Sequence, residues 1–95
     1  MTRVLLVDDH AVVREGLALL IGRHAGLEVI AETGDAQEAV AIAAAQGPDV
    51  VLMDIGLGDE DGVSVIEAIH ARSPAAQLVP HRQLASRTWM PLRIW

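Results

Sequence analysis

Residues 49–54 read DVVLMD, a short apolar run between two aspartates, and residues 3–8 read RVLLVD. Runs that are this short and almost wholly apolar are typical of strands buried on both faces of a parallel sheet. Each run ends on an acidic residue, Asp54 in the first and Asp8 in the second. We therefore predict two inner strands whose carboxyl ends both carry a carboxylate.

A helix is predicted between the first strand and the next apolar run. Apolar side chains recur at helical spacing from Val12 to Ile21, Asp9 is a plausible N-cap, and Gly26 lies beyond the end. Residues 27–32 (LEVIAE) are β-branched enough to predict a second strand.

The rest of the pattern repeats this alternation. Asp35 and Glu38 form an Asp-started capping box, which predicts a second helix running to about Gln46, where Gly47 and Pro48 stop it. After the strand at residues 49–54, a glycine- and acid-rich loop (residues 55–62) leads to a third predicted helix, residues 63–72.

Three alternations of strand and helix with short connections predict an α/β fold, with right-handed βαβ units around a doubly wound parallel sheet. A fourth strand begins at residues 77–79 (QLV). Pro80 has no backbone N–H for a central strand and restricts Val79, so we expect the strand pattern to break there.

Composition narrows the classes of function. The 95 residues allow one domain, and an apolar fraction of 52% with 21% charged residues predicts a buried core. The formal charge of −6, with seven arginines and no lysine, argues against nonspecific nucleic-acid binding. The absence of cysteine excludes disulfides, thiolate zinc sites and thiol nucleophiles.

We expect a cytoplasmic location and no membrane association. The longest apolar run, residues 39–45, is far shorter than the roughly 18 residues of a membrane span. The apolar stretch near the N-terminus is interrupted by Asp8 and Asp9, so it does not resemble a signal peptide.

The charge changes sign near Val79. Residues 1–79 hold all 13 acids and four arginines, a net charge of −9, whereas residues 80–95 hold three arginines, no acid and both tryptophans. We therefore expect one partial domain over residues 1–79 and an atypical, disordered tail over residues 80–95.

A candidate site lies where the strands end, because ligands of open α/β sheets bind outside the carboxyl ends of the strands. If the strands that end at Asp8 and Asp54 are neighbours, these carboxylates and that of Asp9 converge, and their repulsion favours binding of a cation. Oxygen ligands with open positions suit Mg²⁺. Each acid also has an ordinary structural interpretation, Asp9 as a helix cap and Asp54 as the end of a strand.

Other chemistries remain for comparison. A nucleotide-binding fold would need a glycine-rich turn where Asp8, Asp9 and His10 stand, but a Mg²⁺-dependent phosphohydrolase stays open as an alternative. The four histidines fall on different predicted elements, so we expect solvated or capping roles for them and no zinc site: His10, His24, His70 and His81.

Several motifs together resemble a known family. They are VDDH at residues 7–10, VREGL at 13–17, PDVVLMDI at 48–55 and DG at 61–62. In this order and spacing they are similar to the receiver domain of bacterial two-component response regulators, and most similar to the subfamily that usually carries a LuxR-type helix-turn-helix. The resemblance covers about residues 2–79 and implies a flavodoxin-like sheet of order 2-1-3-4-5, incomplete here after the start of strand 4.

The resemblance also implies a function. Asp54 would accept a phosphoryl group from a sensor histidine kinase, whose docking surface in the family is the first helix. Asp8, Asp9 and Asp54 would hold Mg²⁺ together with the backbone carbonyl of Gly56. Such a chain is a phosphoacceptor signalling module, and no free-standing enzymatic turnover is expected of it.

The sequence departs from the family in the loop after the third strand and in its last part. Gly58 replaces the proline that is common four residues after the phosphoacceptor, Arg82 stands about where a Ser or Thr is expected, and no lysine exists to neutralise the phosphoryl group. We hypothesise a truncated or frame-shifted product without direct DNA binding. The alternative to a working phosphoacceptor is a non-switching fragment that acts only as a kinase-binding decoy or is an inactive product. Uncovered apolar surface would favour self-association.

Overall fold

The computed structural model of the chain describes residues 1–54 and 62–81. Strands and helices alternate through this part as β1 Thr2–Val7, α1 Ala11–Gly22, β2 Leu27–Thr33, α2 Ala36–Gln46, β3 Val50–Asp54, α3 Gly62–Arg72 and β4 Gln77–His81. The four strands are parallel and follow the order β2-β1-β3-β4. The predicted α/β fold with a parallel sheet is confirmed, and β1 and β3 are its inner strands.

The main core lies between one face of the sheet and helices α2 and α3. Alternate residues of the two inner strands supply the sheet side of this core: Leu5, Val7, Val51 and Met53. Small side chains of α2 and larger ones of α3 close it, namely Ala36, Ala39, Ala43, Val65 and Ile69. The middle residues of both inner strands are all apolar, because the residues between these four face the other packed side of the sheet.

On the opposite face, α1 packs mainly over β2 and β1. Leu6 is buried there, and the strand register continues its row through Leu52 to Val79 at the other side of the sheet. Val79 remains 37% exposed. Helix α1 itself has no buried residue, and its Val12 is 84% exposed. Apolar surface is therefore open along this face of the described part of the chain.

Helix α2 begins and ends largely as the sequence predicts. The Asp35 carboxylate accepts a hydrogen bond from the Glu38 N–H at 3.0 Å, and Gly47 closes the helix in the left-handed region at φ 53°. The second arm of the capping box goes elsewhere, because the Thr33 hydroxyl donates to the Glu38 carboxylate and accepts from the Asp35 N–H. The cap is thereby joined to the end of β2.

Replacing Asp35 with alanine is expected to lower the free energy of unfolding by about 1 kcal/mol, because an N–H at the start of α2 loses its acceptor. Urea unfolding followed by circular dichroism measures the change. Gln37→Ala, at an exposed position in the same turn, is the control and should shift stability by less than about 0.5 kcal/mol. Equal effects of the two variants would contradict the capping role.

Two sequence predictions about element ends are wrong. Asp9 is not the N-cap of α1; His10 occupies that position without a side-chain cap, because β1 ends one residue earlier and α1 begins one residue later than predicted. The fourth strand does not break at Pro80 but continues to His81, with Pro80 opposite Met53. Among the described strands, β4 lies at the end of the sheet order, and a strand there can hold a proline whose missing N–H faces away from the neighbouring strand.

Two further expectations, on membrane spans and on the tail, can be compared with the described residues only. No helix in the described ranges is long and apolar enough to cross a membrane. The expected tail lies outside the described residues from Arg82 onward, as does the loop at residues 55–61.

Candidate functional site

The sheet register brings the two acidic strand ends together. Val7 of β1 pairs with Met53 of β3, so Asp8 and Asp54 follow side by side at the carboxyl edge. The Asp8 N–H donates to the Thr33 carbonyl at 2.9 Å, which ties the residue after β1 to the end of β2 as well. Inner-strand placement thus sets the positions of these carboxylates.

The three predicted acids differ in burial. Asp8 is 0% exposed and Asp54 1% exposed, whereas the Asp9 side chain is 28% exposed at the rim. One ligand atom from each of these acids and one from His10 all lie within 4.8 Å of one another. The predicted convergence of Asp8, Asp9 and Asp54 is therefore seen in the structure. Gly56 lies outside the described residues.

His10 belongs to this cluster, which the sequence analysis missed. Its Nδ1 lies 2.7 Å from Asp9 Oδ1, 3.3 Å from Asp8 Oδ1 and 3.7 Å from Asp54 Oδ2. Its backbone N–H also donates to Asp8 Oδ1 at 2.8 Å. The imidazole of His10 therefore lies against all three carboxylates. Only the position of His10 directly after the acidic pair could have signalled this role.

The donor atoms fit a hard divalent cation. Three carboxylates supply oxygen ligands, and two of them are buried, so they interact with a cation through less solvent than surface acids do. Mg²⁺ prefers oxygen to imidazole nitrogen and retains several waters. We infer that the carboxylates, rather than His10, would provide the ligands. The Asp9 side chain, at 28% exposure, is the most solvent-accessible of the three carboxylates.

Comparison with known proteins decides the family. The model of the response regulator receiver domain matches residues 4–80 of the chain. The chain belongs to this family. As a receiver, it is a phosphoacceptor signalling module, and the cluster of aspartates at its sheet edge is consistent with that role.

Relatives of this receiver agree with the assignment. The DNA-binding transcriptional activator DevR/DosR of Mycobacterium tuberculosis is 42% identical over 74 residues, which is 78% of this chain and 34% of that protein. The transcriptional regulatory protein LiaR of Bacillus subtilis is 44% identical over 69 residues, 73% of this chain and 33% of that protein. The receiver thus spans about a third of the length of these curated relatives.

A solved structure shows the same fold. The crystal structure of a two-component response regulator of the LuxR family from Aurantimonas sp. SI85-9A1 superposes with a TM-score of 0.77 at 40% identity. The match covers 84% of this chain and 58% of that one. The resemblance to response regulators, including a LuxR-family member, is confirmed, and the phosphohydrolase alternative is not favoured.

Proposed function

We propose that this receiver takes a phosphoryl group onto Asp54 from a phosphohistidine of a sensor histidine kinase, with Mg²⁺ held by Asp8, Asp9, Asp54 and the backbone carbonyl of Gly56. The observation that carries the proposal is the convergence of three carboxylates at the ends of β1 and β3 within 4.8 Å. Among them, Asp54 ends an inner strand and is 1% exposed.

The phosphoryl transfer from histidine to Asp54 needs no further phosphodonor or oxidant. An Asp54 carboxylate oxygen attacks the phosphorus and forms a P–O bond, the P–N bond to the histidine breaks, and its electron pair returns to the imidazole, which then takes a proton. Attack of water on the resulting acyl phosphate returns Asp54 and releases inorganic phosphate. A bound Mg²⁺ would neutralise charge on the phosphoryl oxygens during both steps.

The chain's own groups prepare Asp54 for this step. Burial strips most solvent from its carboxylate, and Asp8 lies beside it with its own oxygen held by the His10 N–H at 2.8 Å. Repulsion between carboxylates that close favours a bound cation and an incoming electrophile. His10 lies at the exposed side of the cluster, with its Nδ1 2.7 Å from Asp9 Oδ1.

Partners of the receiver follow from the same proposal. The phosphodonor is a sensor histidine kinase in the cytoplasm, and α1, whose Val12, Leu19 and Leu20 are all more than half exposed, offers the surface for it. We propose no direct DNA binding by this chain. Self-association through the apolar face that includes Val79 also stays a prediction.

A small phosphodonor tests the function without knowledge of the kinase. The chain is incubated with acetyl phosphate and Mg²⁺, or with acetyl phosphate and excess EDTA, and its intact mass is measured. We expect a gain of one phosphoryl group in the first sample only. If the mass does not rise by one phosphoryl group, a kinase-binding decoy is the better description of the chain. Continuous release of phosphate from simple esters, without a covalent adduct, would favour a hydrolase.

A further inference from the structure

Arg14 of α1 contacts the backbone between two of the acidic residues. Its Nη1 donates to the Asp8 carbonyl at 2.6 Å, and its Nε lies 3.6 Å from the Glu32 carboxylate of β2. The side chain is 23% exposed. One guanidinium thus joins α1, the end of β1 and β2 directly behind the carboxylate cluster.

The contacted carbonyl belongs to the peptide that links Asp8 to Asp9. The N–H of Asp8 is already held by the Thr33 carbonyl at 2.9 Å, so both backbone polar groups of Asp8 have partners. The orientation of this peptide determines where the Asp8 and Asp9 side chains leave the main chain. Holding this peptide in one orientation therefore limits the positions that the two carboxylates can take.

Gly34 gives independent evidence that the guanidinium is closely packed. A Cβ at this position would lie 2.9 Å from Arg14 Nη1, 3.2 Å from Asp9 Cα and 3.4 Å from the Asp8 carbonyl oxygen. Even a methyl group would displace the guanidinium or the turn itself. Between Gly34 and the Asp8–Asp9 peptide, the Arg14 guanidinium therefore leaves no room for an added methyl group.

We propose that Arg14 is a positioning residue for the phosphoacceptor site: by holding the Asp8 carbonyl, it orients the Asp8 and Asp9 carboxylates to bind Mg²⁺. Arginine suits this task because its planar group donates to several acceptors and keeps its charge at all relevant pH values. This role rests on the proposed function and adds a residue that contacts neither the metal nor the phosphoryl group.

The test measures the affinity of the full chain for Mg²⁺ alone by isothermal titration calorimetry. Arg14→Gln is expected to weaken Mg²⁺ binding about 10- to 100-fold, as loss of an outer-sphere partner does at metal sites. Arg14→Lys should restore part of the affinity, since the ammonium can still donate to the Asp8 carbonyl but is too compact to reach Glu32 as well. Arg3→Gln is the matched control, because Arg3 also donates to a backbone carbonyl, that of Gly47 at 2.8 Å, away from the site.

Two further readouts separate positioning from general stability. In the Mg²⁺ dependence of phosphorylation by acetyl phosphate, Arg14→Gln should raise the Mg²⁺ concentration at half-maximal rate more than it lowers the maximal rate. The Asp9 amide shares its peptide group with the Asp8 carbonyl, which loses its donor in Arg14→Gln. The NMR resonance of the Asp9 amide nitrogen should therefore shift in the metal-free chain. Gly34→Ala should weaken Mg²⁺ binding as well. In the double variant with Arg14→Gln, the affinity for Mg²⁺ should fall little further than in Arg14→Gln alone, because both changes disturb the same contact.

The outcomes are distinct. A wild-type chain that binds no Mg²⁺ would overturn the proposed function and this role together. A wild-type chain that binds Mg²⁺, with Arg14→Gln or, if that variant does not fold, Arg14→Lys binding it equally well, would overturn the role of Arg14 alone. An equal loss in Arg3→Gln would assign the effect to general stability and also overturn it.

Discussion

Asp54→Asn is expected to remain folded and to lose the phosphate adduct completely. The amide has nearly the volume of the carboxylate and keeps an acceptor oxygen, so the buried end of β3 can retain its packing. The neutral amide oxygen is a poor nucleophile, so no acyl phosphate can accumulate at this position. Intact mass after incubation with acetyl phosphate and Mg²⁺ measures the loss.

Asp49→Asn is the matched control for Asp54→Asn. Asp49 precedes β3 at the opposite edge of the sheet, where its carboxylate accepts from the Arg3 N–H at 2.8 Å. We expect this variant to gain the phosphoryl group at the wild-type rate. An adduct that survives in Asp54→Asn would show that another carboxylate, Asp8 or Asp9, is the acceptor, and the assignment of Asp54 would have to be withdrawn.

Asp8→Asn is expected to move Mg²⁺ affinity and stability in opposite directions. The variant removes one negative charge from a carboxylate cluster whose ligand atoms lie within 4.8 Å, so Mg²⁺ binding should fall by at least the roughly 10- to 100-fold typical of an outer-sphere change. Without metal, removal of repulsion should stabilise the fold. Two unit charges 4 Å apart interact by about 1 kcal/mol in water and about 4 kcal/mol at an effective dielectric of 20.

The two effects are measured on the same samples. Calorimetry gives the Mg²⁺ affinity, and thermal unfolding in EDTA and in excess Mg²⁺ gives the stability of each state. The asparagine oxygen can still accept from the His10 N–H, so the turn after β1 should persist. Glu67→Gln on the exposed side of α3 is the control for a lost surface charge. If Asp8→Asn destabilised the metal-free chain and left Mg²⁺ affinity unchanged, repulsion would not be the property that prepares this site.

Prediction from sequence succeeded where the signal is local. The apolar runs of β1 and β3, the cap at Asp35 and the stop at Gly47 each depend on a few adjacent residues, and each lies where it was predicted. The acids at the strand ends followed as well, since a strand's carboxyl end is visible in the sequence as soon as the strand is.

Prediction failed where the outcome depends on neighbours far along the chain. Pro80 is compatible with β4 because, among the described strands, β4 lies at the end of the sheet order. His10 joins the carboxylates because Asp54 is brought next to Asp8 from 46 residues away, and Arg14 reaches the Asp8 carbonyl because α1 folds back over β1 and β2. Nothing in the local pattern of VREGL distinguishes an arginine in such a contact from one in solvent.

Short-range patterns decided the succession of strands and helices, their burial and the acids at their ends, because periodicity and capping act over a few residues. Which strands became neighbours, and therefore that Asp8 and Asp54 share one site with His10 beside them and Arg14 behind, was decided only by the tertiary structure. The physical reason is that charge and hydrogen bonding act across space, and the distances that govern them are set by packing of the whole sheet.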